Sequence, residues 1–158
     1  MSRLALSPRP ARPAARRFAA LSARPDQLAI DAAIIAIEDA LRGDRMLDAQ
    51  IYRALGWEVL FDRDGIRRGW RCRSPHAASW MPLPKPSTRE DDAAALVPHG
   101  WSRMSGTLNR RPFAWTAARH PVREGVPFFE CHGASPALAL CKAAMFAHRW
   151  YAIQEPGR

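Results

Sequence analysis

Hydrophobic positions recur at helical spacing in two segments of the chain. The first predicts an amphipathic helix that Asp26 caps and that continues to about residue 42. Its apolar stripe is Ile30, Ile34, Ile37 and Leu41. The second predicts a helix that Asp44 caps and Gly56 ends, because glycine readily adopts the left-handed turn that terminates a helix. Its stripe is Leu47, Ile51 and Leu55.

The pattern then changes from helical to alternating. Hydrophobic and other side chains alternate from residue 57 to 62, and Asp64-Gly65 is a strong two-residue hairpin signal. We therefore predict a strand that returns over residues 66–73, with arginines concentrated on one of its faces. That face carries Arg67, Arg71 and Arg73, whereas Arg68 lies on the other. A proline-rich loop over residues 74–87 follows, which Trp80 is expected to attach to the core.

Capping signals indicate two more helices, with three strands between them. Ser87 or Thr88 has the capping-box spacing, so a short helix is predicted to begin there and to end before Pro98. Residues 100–105, 112–119 and 126–131 predict strands that are antiparallel, since their connections are too short for crossover helices. Ser135, followed by proline, opens a largely buried helix to about Tyr151.

These elements predict an α+β fold in which a mostly antiparallel sheet of about five strands is sandwiched with about four helices. A length of 158 residues suits one domain. We assign residues 26–153 to that domain, residues 1–25 to a tail rich in arginine and proline, and residues 154–158 to a C-terminal tail.

The net charge of +9 is unevenly distributed. Residues 1–25 carry six arginines, four prolines and no acid, so we expect this segment to be disordered. Three interpretations of it remain open: an overhang or misassigned start, an arm that attracts nucleic acid, and a targeting segment. The next segment, residues 26–48, holds six acids against two arginines.

Candidate catalytic or metal-binding chemistry is sparse. Three cysteines form no disulfide framework and match no common zinc spacing with the five scattered histidines. No nucleophile elbow, phosphate-binding glycine loop or HExxH pair occurs, so we predict a non-enzymatic chain without cofactor or metal. No apolar stretch is long enough to span a bilayer. The expected setting is cytoplasmic, without a membrane partner.

Three blocks in this order are similar to the phage ABA sandwich domain, a family seen in phage and prophage proteins. The blocks are Leu47–Trp57, Asp91–Trp101 and Ser135–Met145. The resemblance covers roughly residues 27–150, without the basic tail. It implies an α/β sandwich and a mobile-element origin, and it brings no catalytic residues.

The predicted function is that of a phage- or prophage-derived accessory protein that binds a protein or small metabolite. Trp80 and Trp101 are the candidate rim of the binding site. The alternative is nucleic-acid binding through the basic tail and sheet arginines, with exposed tryptophans stacking on bases. The candidate arginines are Arg67, Arg68, Arg71, Arg73, Arg110 and Arg111. A structural or self-associating protein would instead expose an apolar helix face or an edge strand. Partner identity and oligomeric state stay open.

Overall fold

A computed structural model describes residues 26–64, 68–118 and 127–154 of the chain. The described residues form four helices and six strands. The helices are α1 (Gln27–Asp39), α2 (Arg45–Ala54), α3 (Glu90–Ala94) and α4 (Pro136–Gln154). The strands are β1 (Glu58–Asp62), β2 (Gly69–Arg73), β3 (Met81–Pro82), β4 (Trp101–Leu108), β5 (Arg111–Ala118) and β6 (Phe128–His132). The expected disorder of residues 1–25 concerns a segment outside the described residues.

The α+β class and the four helices are confirmed, but a single sheet of about five strands is wrong. Two antiparallel sheets of three strands form instead, in the orders β1-β2-β3 and β4-β5-β6. The division arises because residues 81–82, predicted as loop, pair with β2 and complete a small sheet around the first hairpin. A proline-rich segment and the short helix α3 then separate this sheet from β4.

Helix α4 lies at the centre of the fold. It contacts all three strands of the large sheet on one side and α1 and α3 elsewhere. Its N-terminus is capped as predicted, since the Ser135 hydroxyl accepts a hydrogen bond from the Leu138 amide at 3.2 Å. Buried side chains surround most of α4, as expected for a helix enclosed by other elements.

Helix α1 is shorter than its hydrophobic pattern predicts. Asp26 caps it by accepting from the Leu28 amide at 3.0 Å, but the chain turns to an extended conformation at Ala40. Leu41 consequently leaves the buried stripe and is 91% exposed. The other predicted members of both stripes are buried. Two ion pairs, Asp31–Arg149 and Glu38–Lys142, fasten α1 to α4.

A buried polar cluster fixes the proline-rich loop against α2. The Asp48 carboxylate accepts from the Ser87 amide at 2.9 Å, from the Ser87 hydroxyl at 2.6 Å and from the Arg45 guanidinium at 2.7 Å. Arg45 also donates to the carbonyls of Leu83 and Pro84. The prediction that Ser87 or Thr88 caps α3 is therefore wrong. The N-cap of α3 is Arg89, without a side-chain hydrogen bond.

The large sheet has one face toward the core. Ala114, Thr116 and Cys131 are buried against α4, and the Thr116 hydroxyl donates to the Ala143 carbonyl at 3.1 Å. The β4–β5 connection is a two-residue turn in which Asn109 and Arg110 have φ of 51° and 63°, as a type I′ turn requires. Side chains at alternate positions of these strands point to the opposite, outer face.

Across the described ranges, no helix has the length and apolarity needed to cross a membrane.

Candidate binding surface

The outer face of the β4–β6 sheet carries a group of aromatic and aliphatic side chains, which we call the aromatic platform. It consists of Met104, Leu108, Phe113, Trp115 and Phe128. The strand register brings these residues together: Trp115 pairs with Met104 on one side and with Glu130 on the other. Among the described helices, the one that packs on this sheet is α4, and it covers the inner face.

Aromatic rings of neighbouring strands lie side by side on the platform. The ring centroids of Trp115 and Phe128 are 5.9 Å apart, and Phe128 is 54% exposed. Gly106 lies opposite Phe113, and a Cβ built there would be 3.6 Å from the Phe113 ring. Because glycine has no side chain, β4 places no side chain directly opposite this ring. The result is a low, largely apolar surface with half-buried rings.

Charged side chains lie at two edges of the platform. Arg110 and Arg111 are exposed at the β4–β5 turn, beside Leu108. On β6, the exposed side chains Glu130 and His132 share the outer face, with Glu130 Oε1 and His132 Nε2 4.0 Å apart. The turn end of the platform is therefore basic, and the β6 edge carries an acid.

Two arginines of the small sheet, Arg71 and Arg73, are engaged in contacts within the fold. Arg73 forms an ion pair with Glu58 at 2.6 Å, and its guanidinium lies 4.9 Å from the centre of the Trp80 ring. Arg71 donates to the Trp80 carbonyl at 2.9 Å. Arg68 is exposed, and Arg67 lies outside the described residues. Arg71 and Arg73 thus hold the following loop onto the small sheet, which leaves fewer donors for a ligand.

Trp80 and Trp101, predicted as a ligand rim, have different surroundings. Trp101 is 4% exposed, its ring contacts Phe129, and its indole N–H donates to the Tyr151 hydroxyl at 2.9 Å. It belongs to an aromatic cluster between the large sheet and the end of α4. Trp80 is half-buried beneath Arg73 on the small sheet. These positions do not form a common concave site.

The excess positive charge lies mostly outside the described fold. The described ranges contain 14 Lys and Arg residues against 13 Asp and Glu residues. Residues 1–25, by contrast, carry six arginines and no acid. Long-range attraction of a polyanion is thus mainly a property of this segment, whereas Arg110 and Arg111 act locally.

Burial holds the three cysteines and His148 in their neutral forms. Burial raises the pKa of the Cys72 and Cys131 thiols to about 11 and also raises that of Cys141. Burial lowers the pKa of His148, whose Nε2 lies 2.8 Å from the Leu96 carbonyl and therefore acts as the donor. The thiols are weak nucleophiles at neutral pH because the thiolate is the reactive form. No three His, Cys, Asp or Glu side chains converge as a metal site in the part of the chain described.

Sequence alternation identified part of the platform. Alternation within residues 112–119 puts Phe113 and Trp115 on the same face of a strand, but it does not connect them with Met104, Leu108 or Phe128. The signal that was available is the alternation of Met104 and Leu108 with polar residues in β4. Strand order and register were required to combine three strands into one surface.

Comparison with known proteins found no matching family model, no similar curated protein and no similar solved structure.

Proposed function

We propose that this chain is a non-enzymatic binding module of phage or prophage origin and that its aromatic platform binds single-stranded nucleic acid. The observation that carries the proposal is the grouping of half-buried Phe113 and Trp115 with exposed Phe128 on one sheet face. Arg110 and Arg111 lie at the end of this group. The order of the three sequence blocks described above supports the origin.

Base stacking is the interaction that the platform favours. Unpaired bases stack on exposed aromatic rings, and adjacent strands of an antiparallel sheet provide such rings at successive positions. Trp115 and Phe128, on neighbouring strands, provide two of them, and Phe113 extends the row along β5 toward the turn. A paired duplex keeps its base faces inside the helix, so the proposal requires single-stranded segments.

Electrostatic attraction divides between the fold and the basic segment. Arg110 and Arg111 lie where a backbone running along β5 would leave the platform, and each guanidinium is able to contact a phosphate. The six arginines of residues 1–25 add a sequence-independent attraction. Stacking and charge therefore have separate locations in the chain, which allows them to be tested separately.

The first test is the binding of fluorescently labelled single- and double-stranded DNA and RNA at two salt concentrations. We expect Trp115→Ala and Phe128→Ala each to weaken single-strand binding roughly 5- to 100-fold, as is typical for loss of one stacked base. Trp80→Ala is the matched control, because that half-buried tryptophan lies on the other sheet. Absent binding at low salt, or equal losses for the Trp80 and Trp115 variants, would reject the proposal.

A second pair of variants tests the charges. The double variant combines Arg111→Ala with Arg110→Gly, because glycine tolerates the positive φ at position 110. The salt slope, which is the steepness with which the logarithm of the binding constant falls with the logarithm of salt concentration, should decrease by about 0.7 per lost phosphate contact. Arg89→Ala, at the exposed N-cap arginine of α3, should leave the slope unchanged.

A shortened chain beginning at Asp26 should bind more weakly and with a smaller slope while retaining the effect of Trp115→Ala. If only the full chain binds and Trp115→Ala has no effect on it, residues 1–25 bind the nucleic acid and the platform does not.

A further inference from the structure

Helices α1 and α2 present a second uncovered apolar surface, remote from the platform and unused by the proposed function. We call it the α1–α2 surface. Four of its aliphatic side chains are more than half exposed: Leu28, Ile35, Leu41 and Met46. Between the two helices lies an open groove of about 780 Å³, and four of the residues in its α1 wall are alanines. These are Ala29, Ala32, Ala36 and Ala40.

The composition of α1 explains why this surface is apolar. Its buried isoleucines face α4, and two of its acids, Asp31 and Glu38, are paired with cations of α4. The side of α1 that lines the groove carries one charged residue, Asp39, among its alanines. A helix that is apolar on nearly all sides is usually covered on all sides. Within the described chain, one side of α1 is left open.

The charges that line the groove balance. Two are acids and two are bases, namely Asp39, Asp44, Arg42 and Arg53. Asp44 caps α2 through the Leu47 amide, and Arg53 donates to the Val59 carbonyl. Asp39 and Arg42 are both exposed and make no ion pair or hydrogen bond within the described residues. A balanced surface gives no electrostatic preference to the basic segment 1–25 or to nucleic acid.

We infer that the α1–α2 surface binds a second copy of this chain across a two-fold axis. In such a dimer both copies use the same surface. Every contact between one residue of the first copy and another residue of the second copy therefore occurs twice. Leu41 and Met46 of each copy enter the alanine-walled groove of the other, where small side chains leave room for them. Asp39 of each copy faces Arg42 of the other, which satisfies both exposed charges by symmetry.

The size of the surface indicates a weak dimer. A standard interface buries about 800 Å² per partner and uses about 20–30 residues a side. The groove is lined by 13 residues, and exposed Leu28 and Ile35 adjoin it along α1. These residues are fewer than a standard interface uses, so we expect a weak dimer whose dissociation constant is on the order of 1–100 µM.

Sedimentation equilibrium of the full chain without nucleic acid, from about 1 to 200 µM, tests the inference. The wild-type protein should approach a dimer. Asp39→Arg should weaken association about 10-fold or more, because it sets like charges against each other twice. The double variant Asp39→Arg/Arg42→Asp should restore association, since it exchanges the two charges. Leu41→Asn should also weaken it.

The matched control is Leu108→Asn on the platform, a leucine that is also more than half exposed. It should leave the dimer intact. Thermal melts of every variant check that the fold persists, which is expected because the altered side chains are exposed. A wild-type monomer at the highest concentration would overturn the inference. So would failure of the charge exchange to restore a dimer that Asp39→Arg had weakened, or a greater loss from Leu108→Asn than from Leu41→Asn.

Discussion

Replacing Asp48 with alanine is expected to lower the free energy of unfolding by about 3 kcal/mol. Asp48 is fully buried and accepts three hydrogen bonds, two from Ser87 and one from Arg45. The buried Ser87 amide would lose its partner, at a cost of about 1–3 kcal/mol. The Ser87 hydroxyl has the Asp44 carbonyl as a second acceptor at 3.1 Å, so its loss is small.

The Arg45 contribution is reduced for two reasons. Its side chain is about one third exposed, and it keeps the carbonyls of Leu83 and Pro84 as acceptors. A loss of about 1 kcal/mol is therefore more appropriate than the larger value for a fully buried ion pair. Together with the unpaired amide, this leads to an expected total of about 2–4 kcal/mol.

Urea denaturation followed by tryptophan fluorescence measures this change. A double-mutant cycle with Ser87→Ala should show a coupling of about 1 kcal/mol or more, because the two side chains are in direct contact. Asp91→Ala, at an exposed position of α3, should change stability by no more than about 0.5 kcal/mol. A loss below about 1 kcal/mol for Asp48→Ala, with no coupling to Ser87→Ala, would refute the reasoning.

Three further predictions follow from burial and close approach. At pH 8 the native protein should resist alkylation at every cysteine and become reactive only on unfolding, because burial raises the pKa of the Cys72 and Cys131 thiols to about 11 and that of Cys141 as well. The free energy of unfolding should fall as the pH drops below 6.5, the usual pKa of histidine, because His148 is protonated more readily in the unfolded state than in the folded state. For one proton, this free energy changes by at most about 1.4 kcal/mol per pH unit. Gly43→Ala should destabilise the fold by about 2–3 kcal/mol, because the new Cβ would lie within 2.1 Å of the Ser87 carbonyl oxygen as the backbone stands, and urea denaturation measures the loss.

The pH and glycine predictions each have a matched control. His148→Gln, which keeps a donor for the Leu96 carbonyl, should flatten the stability profile between about pH 5 and 7, whereas His76→Ala at an exposed position should not. A slope unaffected by His148→Gln would assign the acid sensitivity to another group. Gly106→Ala should be tolerated, because its Cβ would be at ordinary contact distance from Phe113. Rapid alkylation of the native protein would contradict the thiol prediction.

Local sequence signals determined where most elements begin and which faces they bury. The caps at Asp26, Asp44 and Ser135 all form as predicted, because a capping side chain reaches an amide only two or three residues away. The change from helical to alternating spacing likewise located the first hairpin. Such features depend on neighbours within one turn of helix or one pair of strands, which a single sequence displays directly.

Tertiary structure decided what those signals could not. Ser87 has the spacing of a cap, but Asp48, 39 residues away, provides a buried acceptor and binds it instead. Leu41 continues the apolar stripe of α1 but is exposed, because the helix ends before it. In each case a local preference of about 1 kcal/mol competes with the packing and hydrogen bonding of distant segments.

The candidate surface shows the same division. Alternation alone placed Phe113 and Trp115 on one face of β5. That this face is the outer one is decided by α4, which covers the opposite face. Arg71 and Arg73 were correctly predicted to share a strand face, yet contacts with Glu58 and Trp80 hold both of them. The sequence by itself determined the order of side chains along each strand. Which of those side chains meet a neighbour, and which remain available to a ligand, depended on free energies of burial and pairing between segments far apart in the chain.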